Sequence, residues 1–149
     1  MHRFVVLATL LFLVGCVCAH SVELTPEQKL DNLRAVMKQY SIWAYIVPTA
    51  DSHMSEYVSS SDQRRAYISG FDGSAGTALI TMDSALLWTD GRYWKQAENQ
   101  LDFRYWKLMK DRDVSLTTWL LLNVKENATV GVDPFLYSVS KYSRCDGGE

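Results

Sequence analysis

Histidine is scarce in this 149-residue chain: His2 and His20 stand near the start, and His53 alone lies in the body. A catalytic zinc typically takes three protein ligands with imidazole or thiolate well represented. The Asp51, His53 and Glu56 stretch therefore reads as a polar loop whose side chains cap their own backbone, and no metal site is expected in the chain. Cysteine is also thin, with Cys16, Cys18 and Cys145. Positive charge is not in surplus, since the net charge is -2 and neither sign runs in long blocks. Nucleic acid is thus an unsuitable partner. No repeat period, low-complexity tract or Pro/Gly/Ser-rich linker argues for modular construction. What remains is an ordinary globular composition, 48% apolar and 21% charged, enough for one compact domain and too little for a second.

The beginning differs in kind. His2 and Arg3 precede an apolar run from Phe4 to Val14, followed by small residues up to Cys18-Ala19-His20. Val17 and Ala19 fit the two small-residue positions of a signal-peptide cleavage site after Ala19, so residues 1–19 read as a leader and the chain as secreted. An uncleaved anchor is the lesser reading, because the run is short of the roughly 20 residues a bilayer needs. Leu13-Val14-Gly15-Cys16 also resembles a bacterial lipoprotein box, but nothing after Cys16 looks like a tether. Cleavage would leave Cys145 as the one thiol, with no internal disulfide; it is then buried, paired with another molecule, reactive, or simply part of a polar end. Asn127-Ala128-Thr129 is an N-glycosylation sequon that needs an exposed turn.

Helices and strands alternate through the body. Thr25 as N-cap, Pro26 in the first turn and Gln28 completing a capping box start a helix whose apolar stripe is Leu30, Leu33, Val36, Met37 and Tyr40. Ile42 to Val47 is a buried strand closed by Pro48. Asp62 to Ile68 reads as a short helix capped by Asp62, with Arg64 and Arg65 as either a binding patch or a solvated face. Thr77–Thr81 and Ala85–Trp88 form a hairpin across Met82-Asp83-Ser84. Arg92–Leu101 is helical, Arg104–Met109 a strand, Ser115–Leu122 a helix with Ser115 as cap, and Thr129–Val132 a last strand. This pattern predicts an α/β layer domain.

Chemistry, if present, should gather at two polar turns. Gly70-Phe71-Asp72-Gly73-Ser74-Ala75-Gly76 spaces three glycines evenly, suiting positive φ or close approach. A nucleophile elbow would need glycine where Asp72 stands. A phosphate loop would need a Lys-Ser/Thr pair, and a dinucleotide loop closer glycines. Ser74 has no base but His53. The turn therefore shapes a wall of a site, and no residue is assigned a catalytic role. Arg92, in Thr89-Asp90-Gly91-Arg92-Tyr93, falls in the first turn of a helix, where the macrodipole disfavours a cation. Two readings compete: a solvated arginine over Tyr93 or Trp94, and a fork of donors aimed at a carbonyl or carboxylate.

The motifs Asp51-x-His53-x-Ser55-Glu56-Tyr57, Asp62-x-Arg64-Arg65, Ser69-Gly70-Phe71-Asp72-Gly73-Ser74-Ala75-Gly76-Thr77-Ala78, Trp88-Thr89-Asp90-Gly91-Arg92-Tyr93 and Gly131-Val132-Asp133-Pro134 resemble the amino-terminal domain of Xaa-Pro aminopeptidases (aminopeptidase P). They follow one register from about Leu30 to Val139. The resemblance implies a creatinase-like α/β domain over residues 20–140, a mixed sheet flanked by helices, with residues 141–149 as a truncated or irregular end. It implies release of the N-terminal residue from peptides with proline second, by two divalent metal ions, commonly manganese. In the family those ions lie in a later catalytic domain, so this chain would bind no cofactor itself and would be inactive alone. The resemblance assigns Arg92 to substrate binding across the domain boundary. The alternative is a free-standing secreted binding module that keeps the fold without the chemistry.

Overall fold

The structure, a computed structural model, describes residues 23–110 and 112–136. The expected leader, Cys145 and the expected irregular end lie outside the described residues.

The chain forms α1 (Pro26–Gln39), β1 (Ile42–Pro48), α2 (Arg64–Ser69), β2 (Thr77–Thr81), β3 (Ala85–Thr89), α3 (Trp94–Gln100), β4 (Trp106–Lys110), α4 (Leu116–Asn123) and β5 (Thr129–Val132), with short 3₁₀ turns at Ser60–Asp62 and Gly91–Tyr93. The capping box at α1 forms as expected: the Gln28 amide donates to Thr25 Oγ1 at 3.2 Å and the Thr25 amide to Gln28 Oε1 at 2.9 Å. Two otherwise orphaned donors are satisfied at once. Thr25→Ala is therefore expected to cost about 1 kcal/mol in a urea unfolding titration, with the m-value unchanged.

The helix after the first loop differs from expectation. It starts at Arg64, one residue later than expected, with Gln63 rather than Asp62 at the cap position and no side-chain cap bond. Asp62 ends the preceding 3₁₀ turn instead, its amide bonded to Ser59 O at 2.9 Å. Arg92 also stands ahead of its helix: Asp90 caps the Gly91–Tyr93 turn, and α3 begins only at Trp94.

The sheet order is β4-β3-β2-β1-β5. β2 pairs antiparallel with β1 and β3, while β1–β5 and β3–β4 are parallel. Strands β1, β3, β4 and β5 thus point one way and β2 alone points back. Alternate residues serve opposite faces. Leu87, Ile80 and Ala78 pack with Leu30, Met37, Ile68 and Ala97 of the first three helices. On the other face Leu86, Trp88, Leu79 and Ile46 pack with Leu120 of α4. Trp119 of α4 stacks on Trp43 at 6.3 Å and meets Trp88 edge-on at 6.1 Å. All five residues of β3 are buried, as a strand covered on both sides must be. The mixed sheet flanked by helices is the expected fold.

Candidate functional site

The strand directions bring five segments to one edge of the sheet: those following β1, β3, β4 and β5, and the one preceding β2. In open α/β sheets this carboxyl-end edge is where ligands bind. The two polar turns singled out in the sequence both lie here, tied together by side chains. Ser74 Oγ and Tyr93 OH stand 2.5 Å apart, and Thr89 Oγ1 donates to Ala75 O at 2.6 Å.

Each glycine of the first turn has a local reason. Gly70 ends α2 in the left-handed region at φ 76, which glycine adopts without a Cβ penalty. A Cβ on Gly73 would fall 2.3 Å from the ring of Phe71, which is wholly buried. Asp72 sits on the outer side, accepting from Gln96 Nε2 and Gln100 Nε2, each at 2.7 Å. The turn borders a cleft of about 360 Å³, lined among others by Met54, Tyr57, Arg65, Asp72, Gly73 and Ser74.

The paired arginines divide in fate. Arg64 is exposed, but Arg65 is only 4% exposed. Its guanidinium donates to Thr49 Oγ1, Gly73 O and Gly76 O, and lies 4.9 Å over the Phe71 ring. Burial pushes its pKa down to about 10, so it stays charged at neutral pH. Sequence reasoning missed this residue as a structural hub. A signal was present: Arg65 shares its helix face with Ile68 and Ser69, both buried, at the three- and four-residue spacing of one helical stripe.

Arg92, expected in the first turn of a helix, lies instead in the 3₁₀ turn ahead of α3 and is held there by Asp90. Its Nε and Nη2 donate to the two oxygens of Asp90 at 3.1 and 2.7 Å, and its amide donates to Asp90 Oδ1 at 2.9 Å. These hydrogen bonds hold the Asp90 carboxyl below the usual carboxylate range and raise the arginine in turn. The stem passes over Tyr93, with the guanidinium 5.5 Å from the ring centre. The side chain is nevertheless 78% exposed, so its outer edge faces solvent.

Asp51 is turned into its own loop. The amides of His53 and Ser55 donate to its Oδ1 at 3.0 and 2.9 Å, and the Ser55 bonds chiefly hold the carboxyl below its ordinary value. A depressed native pKa contributes stability fully present above the unfolded value of about 3.9 and lost as pH falls through the lower native one. The Ser55 amide should therefore keep its exchange protection down to about pH 4 and lose it below, read by amide exchange from pH 6 to 2. Protection that persists to the acid end, or vanishes already at pH 5, would contradict this role.

Metal ligation does not suit these residues. One oxygen of Asp51 accepts from amides, one of Asp72 from two glutamines, and both of Asp90 from Arg92, and no group of three or more His, Cys, Asp or Glu among the described residues could hold an ion. Asn127 stands exposed in the left-handed region at φ 64, in the turn before β5 at the opposite end of the sheet.

Residues 29–147 match the family model described as the creatinase/prolidase N-terminal domain. Over 118 residues the chain is 52% identical to Xaa-Pro aminopeptidase 1 of Dictyostelium discoideum, covering 77% of this chain and 19% of that protein. It superposes on the crystal structure of X-prolyl aminopeptidase from Caenorhabditis elegans, described as a cytosolic enzyme with a di-nuclear active site, with a TM-score of 0.76 and 38% identity over 82% of this chain and 22% of that one. The N-terminal domain of cytoplasmic peptidase PepQ from Mycobacterium tuberculosis shares the fold, at a TM-score of 0.60 and 24% identity over 80% of this chain and 83% of that one. The chain spans about a fifth of the length of the curated relatives it matches. One expectation is corrected here: the chain was read as secreted, whereas the solved relative from C. elegans is cytosolic. An apolar start followed by small residues was weaker ground than that likeness.

Proposed function

The chain belongs to the creatinase/prolidase N-terminal domain family, and from that premise we propose that it is the non-catalytic, peptide-contacting domain of a Xaa-Pro aminopeptidase. The substrate in this reading is a peptide with proline second, from which the N-terminal residue is released. The observation that carries the reading is Arg92: a side chain 78% exposed at the carboxyl end of β3, beside the glycine turn. Its planar fork suits a substrate carbonyl or carboxylate, which a lysine point charge would recognise less well. Asp90 orients the fork through two of its donors and leaves others available.

The two divalent metal ions of this reading, manganese by the resemblance, would polarise the scissile carbonyl and supply a nucleophile. Their ligands would come from outside the described residues, among which no group of three or more His, Cys, Asp or Glu could hold an ion. What this domain does is bind and orient.

Incubation of the purified chain with a Xaa-Pro peptide and manganese, followed by chromatography of the products, is expected to release no N-terminal residue above the blank. Turnover at an enzyme-like rate would overturn the non-catalytic assignment.

A further inference from the structure

Arg65 is the one cation buried among the described residues, and none of the ion pairs there involves it. Taking a guanidinium out of water is costly and is ordinarily offset by a carboxylate. Here its direct partners are oxygen dipoles, Thr49 Oγ1 in the loop after β1 and Gly73 O and Gly76 O in the turn before β2, with the Asp72 charge favouring the cation from farther off. Thr49 Oγ1 in turn donates to Gly76 O at 2.6 Å. Arg65 Nε has no partner, so the outer nitrogens carry the hydrogen bonds that set the group's orientation. A planar fork can serve acceptors on two loops together, which a single ammonium cannot match.

The glycine turn passes this anchoring on. Ser74 Oγ meets Tyr93 OH at 2.5 Å and Ala75 O accepts from Thr89 Oγ1 at 2.6 Å. Phe71, beneath the Arg65 guanidinium, meets the Tyr93 ring edge-on at 6.4 Å. Thr89 and Tyr93 flank the segment that carries Arg92. We infer that Arg65 is a positioning residue: its buried guanidinium fixes the glycine turn, and the turn fixes the Asp90–Tyr93 segment, so that Arg92 is presented at one place on the sheet edge. The consequence for peptide binding rests on the proposed function; the mechanical part does not.

Amide hydrogen exchange on the whole chain, read residue by residue, tests it with Arg65→Lys. The amides of Arg92 and Tyr93, which donate to Asp90 at 2.9 and 3.0 Å, should exchange at least about tenfold faster, while those of Leu79 and Ile80 in the central strand stay within about twofold. If the lysine variant fails to fold, Thr49→Val removes one acceptor from the same guanidinium and should give the same pattern at smaller amplitude. Equal acceleration at every amide would reduce Arg65 to a general stabiliser and overturn the inference. Acceleration confined to the glycine turn, with Arg92 and Tyr93 unchanged, would overturn it too. Kinetics of Arg92→Ala test the peptide reading separately: equal rates there would remove the reading, while the exchange pattern decides the positioning role by itself.

Discussion

Gly76→Ala is expected to destabilise the domain by about 3 kcal/mol, lowering the melting temperature by roughly 10 °C. Two costs add. The backbone at Gly76 has φ 157, a conformation that side-chain-bearing residues rarely adopt. A Cβ there would stand 2.8 Å from Trp88 O and 3.1 Å from Arg65 Nη1. The first neighbour is a backbone oxygen of a fully buried strand, and the second is held by the glycine turn itself, so neither can give way cheaply. Displacing them would also disturb Gly76 O, which accepts from Thr49 and Arg65. Gly91→Ala is the matched control: its Cβ would meet nothing nearer than the Trp94 ring at 3.9 Å, and the change should stay within about 0.5 kcal/mol. Denaturant unfolding of both variants checks the contrast. Similar losses at the two sites would mean that the tight packing around Gly76 does not set its requirement for glycine.

Much of this architecture was legible locally. Thr25, Pro26 and Gln28 announced the start of α1 because capping is a matter of a few neighbouring residues, and the β2–β3 hairpin followed from apolar runs on either side of Asp83-Ser84. The late start of α2 was less legible. Asp62 has good capping chemistry, but its residue is drawn into a 3₁₀ turn by the Ser59 carbonyl, a competition that intrinsic preference does not decide. Arg65 was the main omission at the site. An Arg-Arg pair reads as solvated because burying a guanidinium is expensive, and its acceptors here are the Thr49 hydroxyl and two carbonyl oxygens of the glycine turn, 8 and 11 residues later in the chain. The sequence places Arg92 in the first turn of a helix, but α3 begins only at Trp94, and Asp90 both caps the Gly91–Tyr93 turn and pairs with the arginine, a local arrangement that helical periodicity does not reveal. Sequence motifs identified the family because several stood in one order. They carried no comparable information on localisation, where the leader-like start pointed to secretion and the likeness to a cytosolic enzyme overturned that expectation.

Arg92→Ala is the second large expected effect, and it acts on function rather than stability. The ion pair with Asp90 is exposed, so losing it should leave the melting temperature within about 2 °C. A charge-assisted hydrogen bond to substrate is worth far more to binding than an exposed pair is to folding, and its removal should lower kcat/KM by roughly tenfold or more. Arg92→Lys should recover part of that loss, because it keeps the charge but not the fork. The measurement requires the domain beside a working catalytic centre, as in a chimera whose residues 29–136 replace the matching segment of the D. discoideum aminopeptidase. Hydrolysis of a Xaa-Pro peptide by that chimera and its Arg92→Ala variant, each at matched metal loading, tests the account most directly. The account predicts at least a roughly tenfold fall in kcat/KM with unchanged thermal stability; identical kinetics in the two proteins would contradict it.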